Sequence, residues 1–314
     1  MSRVKFSVVI PLYNKADSVS RTLASICKQS FAATEIIVVD DGSTDGSAAM
    51  VAALNIPNLT LVKQINQGVS AARNYGVTLA QCTHIAFIDA DDQWSPFFLY
   101  EMSNLIERFP EHDCFASNYQ KMLEDGDYQN PKLAIGDVSP TGCVMSNYFE
   151  VCAKGDLPFM PSSLVITAQL FKQLGGFPAG EVMGEDQAFF SQVALQASLV
   201  YSPLVLMLYH TDSENRACDR HIPQDILPFA KRLLSKVASG QIDKAIAPFV
   251  LQYCAAHICH ISKINIQAGQ LSVAKRLLKH PVSKLKPLHR SLFGLWLITQ
   301  PLFATMVNML RVNR

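Results

Sequence analysis

The sequence predicts an α/β protein: a mostly parallel sheet flanked by helices, continued by a helical C-terminal region. Three observations predict it. Strand-like apolar runs and helix-period segments alternate strictly through the first ninety residues, their connections are short, and beyond Pro223 the pattern is helical only. The 314-residue chain is 49% hydrophobic and 17% charged, enough apolar content for a core, so disorder is not the default reading.

Each element has its own signal. Phe6 to Pro11 is a short apolar run, and Ala16 to Gln29 sets Val19, Leu23 and Ile26 at helical spacing. Glu35 to Asp40 is strand-like. A Gly/Ser turn follows, then a helix near Ser47 to Leu54, a strand at Leu59 to Gln64, a helix at Val69 to Ala80 and a strand at His84 to Asp89. From about Phe97 to Tyr209 the pattern loosens. It holds a helix at Pro96 to Phe109, a strand at Cys114 to Tyr119, a loop-rich stretch with Gly126, Pro131 and Gly136, a strand at Ser163 to Thr167 and a helix after Glu185. Three helices close the chain, at Asp225 to Ser239, Lys244 to Ile264 and Leu271 to Lys279, and no repeat is visible.

The net charge of +1 hides an asymmetry: Lys244 to Arg314 carry ten Lys and Arg and no acid. Such a split points to an anionic partner, membrane phospholipid or nucleic acid, or to a solvated helical face. Eight cysteines form no CxxC pair, and the chain runs from Met1 almost directly into a strand, so the expectation is no signal peptide and a reducing cytoplasm. Cys254, His257, Cys259 and His260 have the composition of a metal site, but on a helix Cys259 points away from the other three.

In a parallel sheet ligands bind at the carboxyl ends of the strands. The polar clusters fall there. Pro11-Leu12-Tyr13-Asn14 follows the first strand and Asp40-Asp41-Gly42-Ser43-Thr44-Asp45 the second. Tyr13 could stack on a base and Asp41 could accept the imide proton of uracil, although an Asx turn with a helix cap explains either cluster alone. Asn66-Gln67-Gly68 then leads into a helix whose first turn carries Arg73, where amide groups and the dipole favour anions. The alternative is a surface arginine.

Phe87-Ile88-Asp89-Ala90-Asp91-Asp92 is the most informative run. Carboxylates this close raise one another's pKa unless a cation neutralises them, and oxygen ligands point to Mg²⁺ or Mn²⁺, which also bind phosphate oxygens. The bland alternative is a solvated acidic turn. Gly175-Gly176-Phe177 precedes Gly184-Glu185-Asp186, two acids at a helix start that the dipole alone would favour. Functionally, Asp186 would be a general base taking a proton from an acceptor hydroxyl.

The strings PLYN, VVDDGSTD, NQGVSAARNYG, FIDADD, GGF and GEDQAFF, in this order over residues 5 to about 210, resemble family 2 glycosyltransferases of the GT-A fold. The resemblance implies a GT-A domain over residues 1–215, with a nucleotide-binding half at 1–95 and an acceptor half at 96–215, followed by a basic helical region at 216–314. It implies that Pro11, Tyr13, Asn14, Asp41, Arg73, Asp89, Ala90 and Asp91 contact a nucleotide-sugar donor, most simply a UDP-sugar. Asp89 and Asp91 would form the DxD motif, with Asp91 nearest a Mn²⁺ or Mg²⁺ ion and His210 as a further metal or diphosphate contact or, equally, a structural histidine. Asp186 would be the base of an inverting displacement. Gly176, Phe177 and Glu185 would face the sugar or a glycan or lipid-linked acceptor, in bacterial surface-polysaccharide assembly, and no nucleic acid is expected.

The tail is read separately. Basic residues from Lys275 to Arg290 precede an uncharged stretch, Ser291 to Leu310, long enough to span a bilayer but diluted by Gln300, Pro301 and Asn308. An interfacial or partner-binding helix fits better, which suggests attachment to the inner face of the plasma membrane. Two other functions fit the sequence less well. An aspartyl phosphatase would need Thr or Val two residues after the second acid, where Gln93 stands, and a silent sugar-nucleotide binder would differ by lack of turnover. No GxGxxG follows an early strand, which disfavours a nicotinamide cofactor.

Overall fold

The computed structural model describes residues 4–213, 221–297 and 299. These form two compact units, one holding residues 4–151 and 155–213, the other residues 152–154 and the helical region from 221. In the first unit the alternation is realised as β1 (Phe6–Leu12), α1 (Val19–Cys27), β2 (Glu35–Asp40), α2 (Ser47–Ala53), β3 (Leu59–Lys63), α3 (Val69–Leu79) and β4 (His84–Phe87). It continues through β5 (Gln93–Trp94), α4 (Phe98–Arg108), β6 (Cys114–Met122), β7 (Tyr128–Gln129), β8 (Cys143–Val144), α5 (Tyr148–Lys154), β9 (Leu164–Thr167), α6 (Ala168–Leu174), α7 (Glu185–Gln196) and β10 (Leu199–His210). The second unit contains α8 (Pro228–Ala238), α9 (Ala247–Gln267) and α10 (Leu271–Leu278).

The strands join one sheet in the order β3-β2-β1-β4-β9-β6-β10-β5. β1 pairs in parallel with both β2 and β4, and β2 with β3. β9 alone reverses between β4 and β6, which returns β6 and β10 to the direction of β4. The carboxyl ends of β1, β2, β4, β6 and β10 therefore open on one edge of the sheet.

Side-chain parity shows why helices cover both faces. Successive residues of a strand point to opposite faces. Ile36 and Val38 of β2 join a core with Val19, Leu23 and Ile26 of α1, while Ile37 and Val39 pack against Ala72 of α3. Gly76 allows the close approach of α3, since a Cβ there would lie 2.5 Å from Val9 Cγ1. β10 is absent from the sequence reading because Pro203 interrupts its apolar run. The strand accommodates the proline with register shifts between Ser202 and Met207, as expected of a residue that cannot donate to the ladder.

In the second unit Cys254, His257 and Cys259 of the Cys/His cluster are buried in the core, while His260 is exposed. Leu227 N–H donates to His257 Nε2 at 3.4 Å, Cys254 Sγ donates to the Ala230 carbonyl at 3.8 Å, and burial holds the His257 imidazole down at about 3. Among the described residues no helix is long and apolar enough to cross a membrane. Most of the stretch Ser291 to Leu310 lies outside the described residues.

Candidate active site

The loop after β4 is built before it is functional. Trp94, 2% exposed, stacks on Phe98 with centroids 4.2 Å apart, and its indole N–H donates to the Ser162 carbonyl at 2.5 Å. Ser162 Oγ accepts from Asp89 N–H at 3.0 Å and donates to Asp92 Oδ2. Asp92 is buried, and His210 N–H reaches its Oδ1 at 3.4 Å. Burial, then the charges of Asp91 and Asp89, hold its carboxyl well above the ordinary range. Asp92 thus fastens the loop to the end of β10, leaving Asp89 and Asp91 as the acids that reach solvent.

Each of these two acids has a cation. Arg73 Nη2 lies 2.6 Å from Asp89 Oδ1, and Lys15 Nζ lies 2.6 Å from Asp91 Oδ2. Ser213 Oγ donates to the same Asp91 oxygen at 2.7 Å, and Arg21 Nη2 donates to the Asp91 carbonyl at 3.1 Å. Lys15, Arg21, Ser162 and Ser213 escaped the sequence reading. Of these, Lys15 carries a local signal, because it directly follows the polar cluster at the end of the first strand.

Arg73 is not a surface arginine. Its side chain is 3% exposed, its Nη1 lies 3.8 Å from Glu185 Oε1, and its guanidinium carbon stands 4.9 Å from the Phe177 ring centroid. Burial works against its charge, but Asp89 and Glu185 outweigh burial and hold the guanidinium above its usual value. Its Nε and Nη1 make no hydrogen bond among the described residues. Asn74, the next residue, clamps the backbone of Phe177: its Nδ2 donates to the Phe177 carbonyl at 2.7 Å and its Oδ1 accepts from the Phe177 N–H at 2.9 Å.

Gly176 and Phe177 therefore do not face a sugar or acceptor. Phe177 is 1% exposed among Phe87, Phe171 and Phe189, and a Cβ on Gly176 (φ +73°) would lie 2.6 Å from Asn74 Oδ1. The GGF string serves packing. Pro11 and Ala90 have buried side chains, so a ligand would meet them through their backbone.

Glu185 and Asp186 open α7. Burial first, then the charge of Asp186, pushes the Glu185 carboxyl up to about 7 while Arg73 pulls it down. Burial raises Asp186 as well, against a hydrogen bond of 2.6 Å from the Gln187 N–H. Carboxyls raised this way in a cleft have the property required of general bases near neutral pH.

At the β1 and β2 ends, Asn14 adopts a left-handed conformation (φ +51°) and ties two loops: its N–H donates to Ser43 Oγ at 3.1 Å and its Oδ1 accepts from the Thr44 N–H at 2.7 Å. Tyr13 remains 39% exposed. Asp41 is buried and accepts from Gln64 Nε2 and the N–H groups of Gln67 and Gly68 at 2.7 to 2.8 Å. A carboxylate has about four lone-pair sites, so one remains for a ligand donor.

His210, at the end of β10, is 2% exposed; its Nδ1 lies 3.5 Å from Asp212 Oδ1, and neither ring nitrogen makes a well-formed hydrogen bond among the described residues. Burial, with Arg21, holds it below its ordinary value, so the imidazole is neutral at pH 7 and carries a lone pair. No group of three or more His, Cys, Asp or Glu gathers into a metal cage among the described residues. The donor set still fits a divalent ion of the kind bound by one or two protein groups together with substrate phosphates.

Residues 7–155 match the model of glycosyl transferase family 2. The chain is 45% identical over 94 residues to the uncharacterised glycosyltransferase YibD of Escherichia coli K12, covering 29% of this chain and 27% of YibD. It is 38% identical over 152 residues to the amylovoran biosynthesis glycosyltransferase AmsB of Erwinia amylovora, covering 45% and 48% of the two chains. It thus spans less than half the length of these curated relatives. The crystal structure of S. aureus TarS residues 1–349 with UDP-GlcNAc superposes with a TM-score of 0.67 at 19% identity, over 95% of this chain and 92% of that one, which establishes the GT-A fold.

Proposed function

We propose that the chain, whose residues 7–155 match the model of glycosyl transferase family 2, acts as a member of that family and transfers a sugar from a UDP-sugar to an acceptor hydroxyl with inversion at the anomeric carbon. UDP-GlcNAc, the ligand of the TarS structure, is the first donor to test. The acceptor is a glycan or lipid-linked glycan of a surface polysaccharide, as the name of AmsB suggests, and the setting is the cytoplasmic face of the membrane.

One observation carries the reading. Asp89 and the Glu185–Asp186 pair, from distant parts of the sequence, meet on one sheet edge, joined by buried Arg73 at 2.6 Å and 3.8 Å. Tyr13 offers a ring to the base, and Asp41 keeps one lone pair for its imide. Asp89, Asp91 and His210 would hold Mn²⁺ or Mg²⁺, which when bound neutralises charge growing on the departing diphosphate. Asp186 accepts the acceptor's hydroxyl proton as the new C1–O bond forms and the bond to the diphosphate breaks, the bonding pair leaving on UDP.

The test is titration of UDP-GlcNAc with and without Mn²⁺, followed by turnover in wild type and Asp186→Asn. Metal-dependent donor binding retained by the variant, with transfer reduced at least ~100-fold, is expected for loss of a general base. Near-normal transfer by a folded Asp186→Asn would remove the assigned base.

A further inference from the structure

The second unit carries an apolar face that its own core does not use. Residues 287–297 are helical. Leu288, Leu292 and Leu295 are 76%, 62% and 60% exposed, with Leu285 just before them at 47%. At 100° per residue Leu288, Leu292 and Leu295 fall within one ~60° arc of the helix surface. The opposite side rests on the unit itself: Arg290 Nε donates to the Leu278 carbonyl at 3.1 Å, and Phe293 is half-buried.

The charge around this face has one sign. Between residues 221 and 297 there are eleven Lys and Arg and two Asp, a balance of +9. Lys275, Arg276, Lys279 and Lys284, which precede this helix in the chain, are all exposed. Four large apolar side chains in water, with exposed cations beside them and no acid from residue 244 onward, match a surface that is apolar below and anionic above.

We propose that the leucine face of residues 285–295 is an in-plane membrane contact for anionic phospholipid, with the preceding basic residues at the level of the headgroups. A peptide or second copy would satisfy the leucines, but the unbroken positive charge would then face itself in a symmetric pair. The contact is independent of sugar transfer.

The test is sedimentation of the full-length protein with vesicles of phosphatidylethanolamine and phosphatidylglycerol, against vesicles of phosphatidylcholine alone. Wild type should bind the anionic vesicles, and raising the salt from about 0.05 to about 0.5 M should weaken binding at least ~10-fold through screening. Leu288→Ser/Leu292→Ser/Leu295→Ser should lower partitioning at least ~100-fold, at roughly tenfold per leucine withdrawn from an apolar phase. Lys275→Gln/Arg276→Gln/Lys279→Gln/Lys284→Gln should abolish the preference for anionic lipid. Circular dichroism checks that both variants fold. No binding by wild type, equal binding to neutral vesicles, or binding unchanged by the leucine variant would each overturn the proposal. So would a dimer in sedimentation velocity that the leucine variant dissociates.

Discussion

Glu185→Gln tests the electrostatics of the site through stability rather than turnover. Glu185 has a side chain only 16% exposed and lies 3.8 Å from Arg73. Its carboxyl moves from 4.5 to about 7, burial being the main cause. A carboxyl raised on folding binds its proton more tightly in the native state. Its contribution is therefore fully favourable below the unfolded value and is lost as pH rises through the folded one. At about 1.4 kcal/mol per pH unit, the loss between pH 5 and pH 8 is ~2–3 kcal/mol. Glutamine carries no proton to lose, so the variant should gain that amount on wild type over the same interval. In a domain of this size the gain corresponds to ~5–10 °C in melting temperature. Thermal melts of both proteins at matched ionic strength across pH 5 to 8 measure it. A difference in melting temperature that stays constant with pH would mean that Arg73, and not burial, governs Glu185, and the reasoning would fail.

Two further outcomes follow from contacts the sequence did not reveal. Gly176→Ala places a Cβ 2.6 Å from Asn74 Oδ1 at a φ of +73° and should cost ~1–3 kcal/mol in denaturant unfolding; an unchanged midpoint would show that the Asn74 clamp yields. Lys15→Met removes the cation 2.6 Å from Asp91 and should tighten Mn²⁺ binding roughly tenfold in the absence of nucleotide, the order of one charge-assisted contact; unchanged affinity by Mn²⁺ electron paramagnetic resonance would mean that Asp91 is not the metal-facing acid.

Elements whose signal is local were legible. Glu35–Asp40 reads as β2 with both ends correct, because an apolar β-branched run is bounded by charge. β10 was lost to Pro203, a residue that excludes a regular strand but not a bulged one. β9 was found without its direction, since nothing in Leu164–Thr167 specifies that it runs against β4. The polar clusters were legible because they sit where strands end. Their partners were not, because partnership depends on strand order: Lys15 meets Asp91 only because β1 and β4 are neighbours, and Ser213 meets it only because β10 runs parallel to β6. Phe177 was misplaced for the opposite reason. A motif that shortly precedes the acids opening α7 invites a chemical role, whereas its burial at 1% is a tertiary fact.

The strings ARN and GGF, more than a hundred residues apart, are one device. Arg73 must carry its charge into the interior, where an unpaired guanidinium would be costly. Three things make the position tenable: Asp89 on one side, Glu185 on another, and the face of Phe177 beneath, whose π-system favours a cation. Phe177 can lie there only because Asn74 grips its backbone and Gly176 leaves room for the grip. The acids gain in turn. Without a cation between them, Asp89 and the Glu185–Asp186 pair would repel across the same edge. The buried arginine eases that repulsion: its charge lowers the Glu185 and Asp186 carboxyls against the burial that raises them.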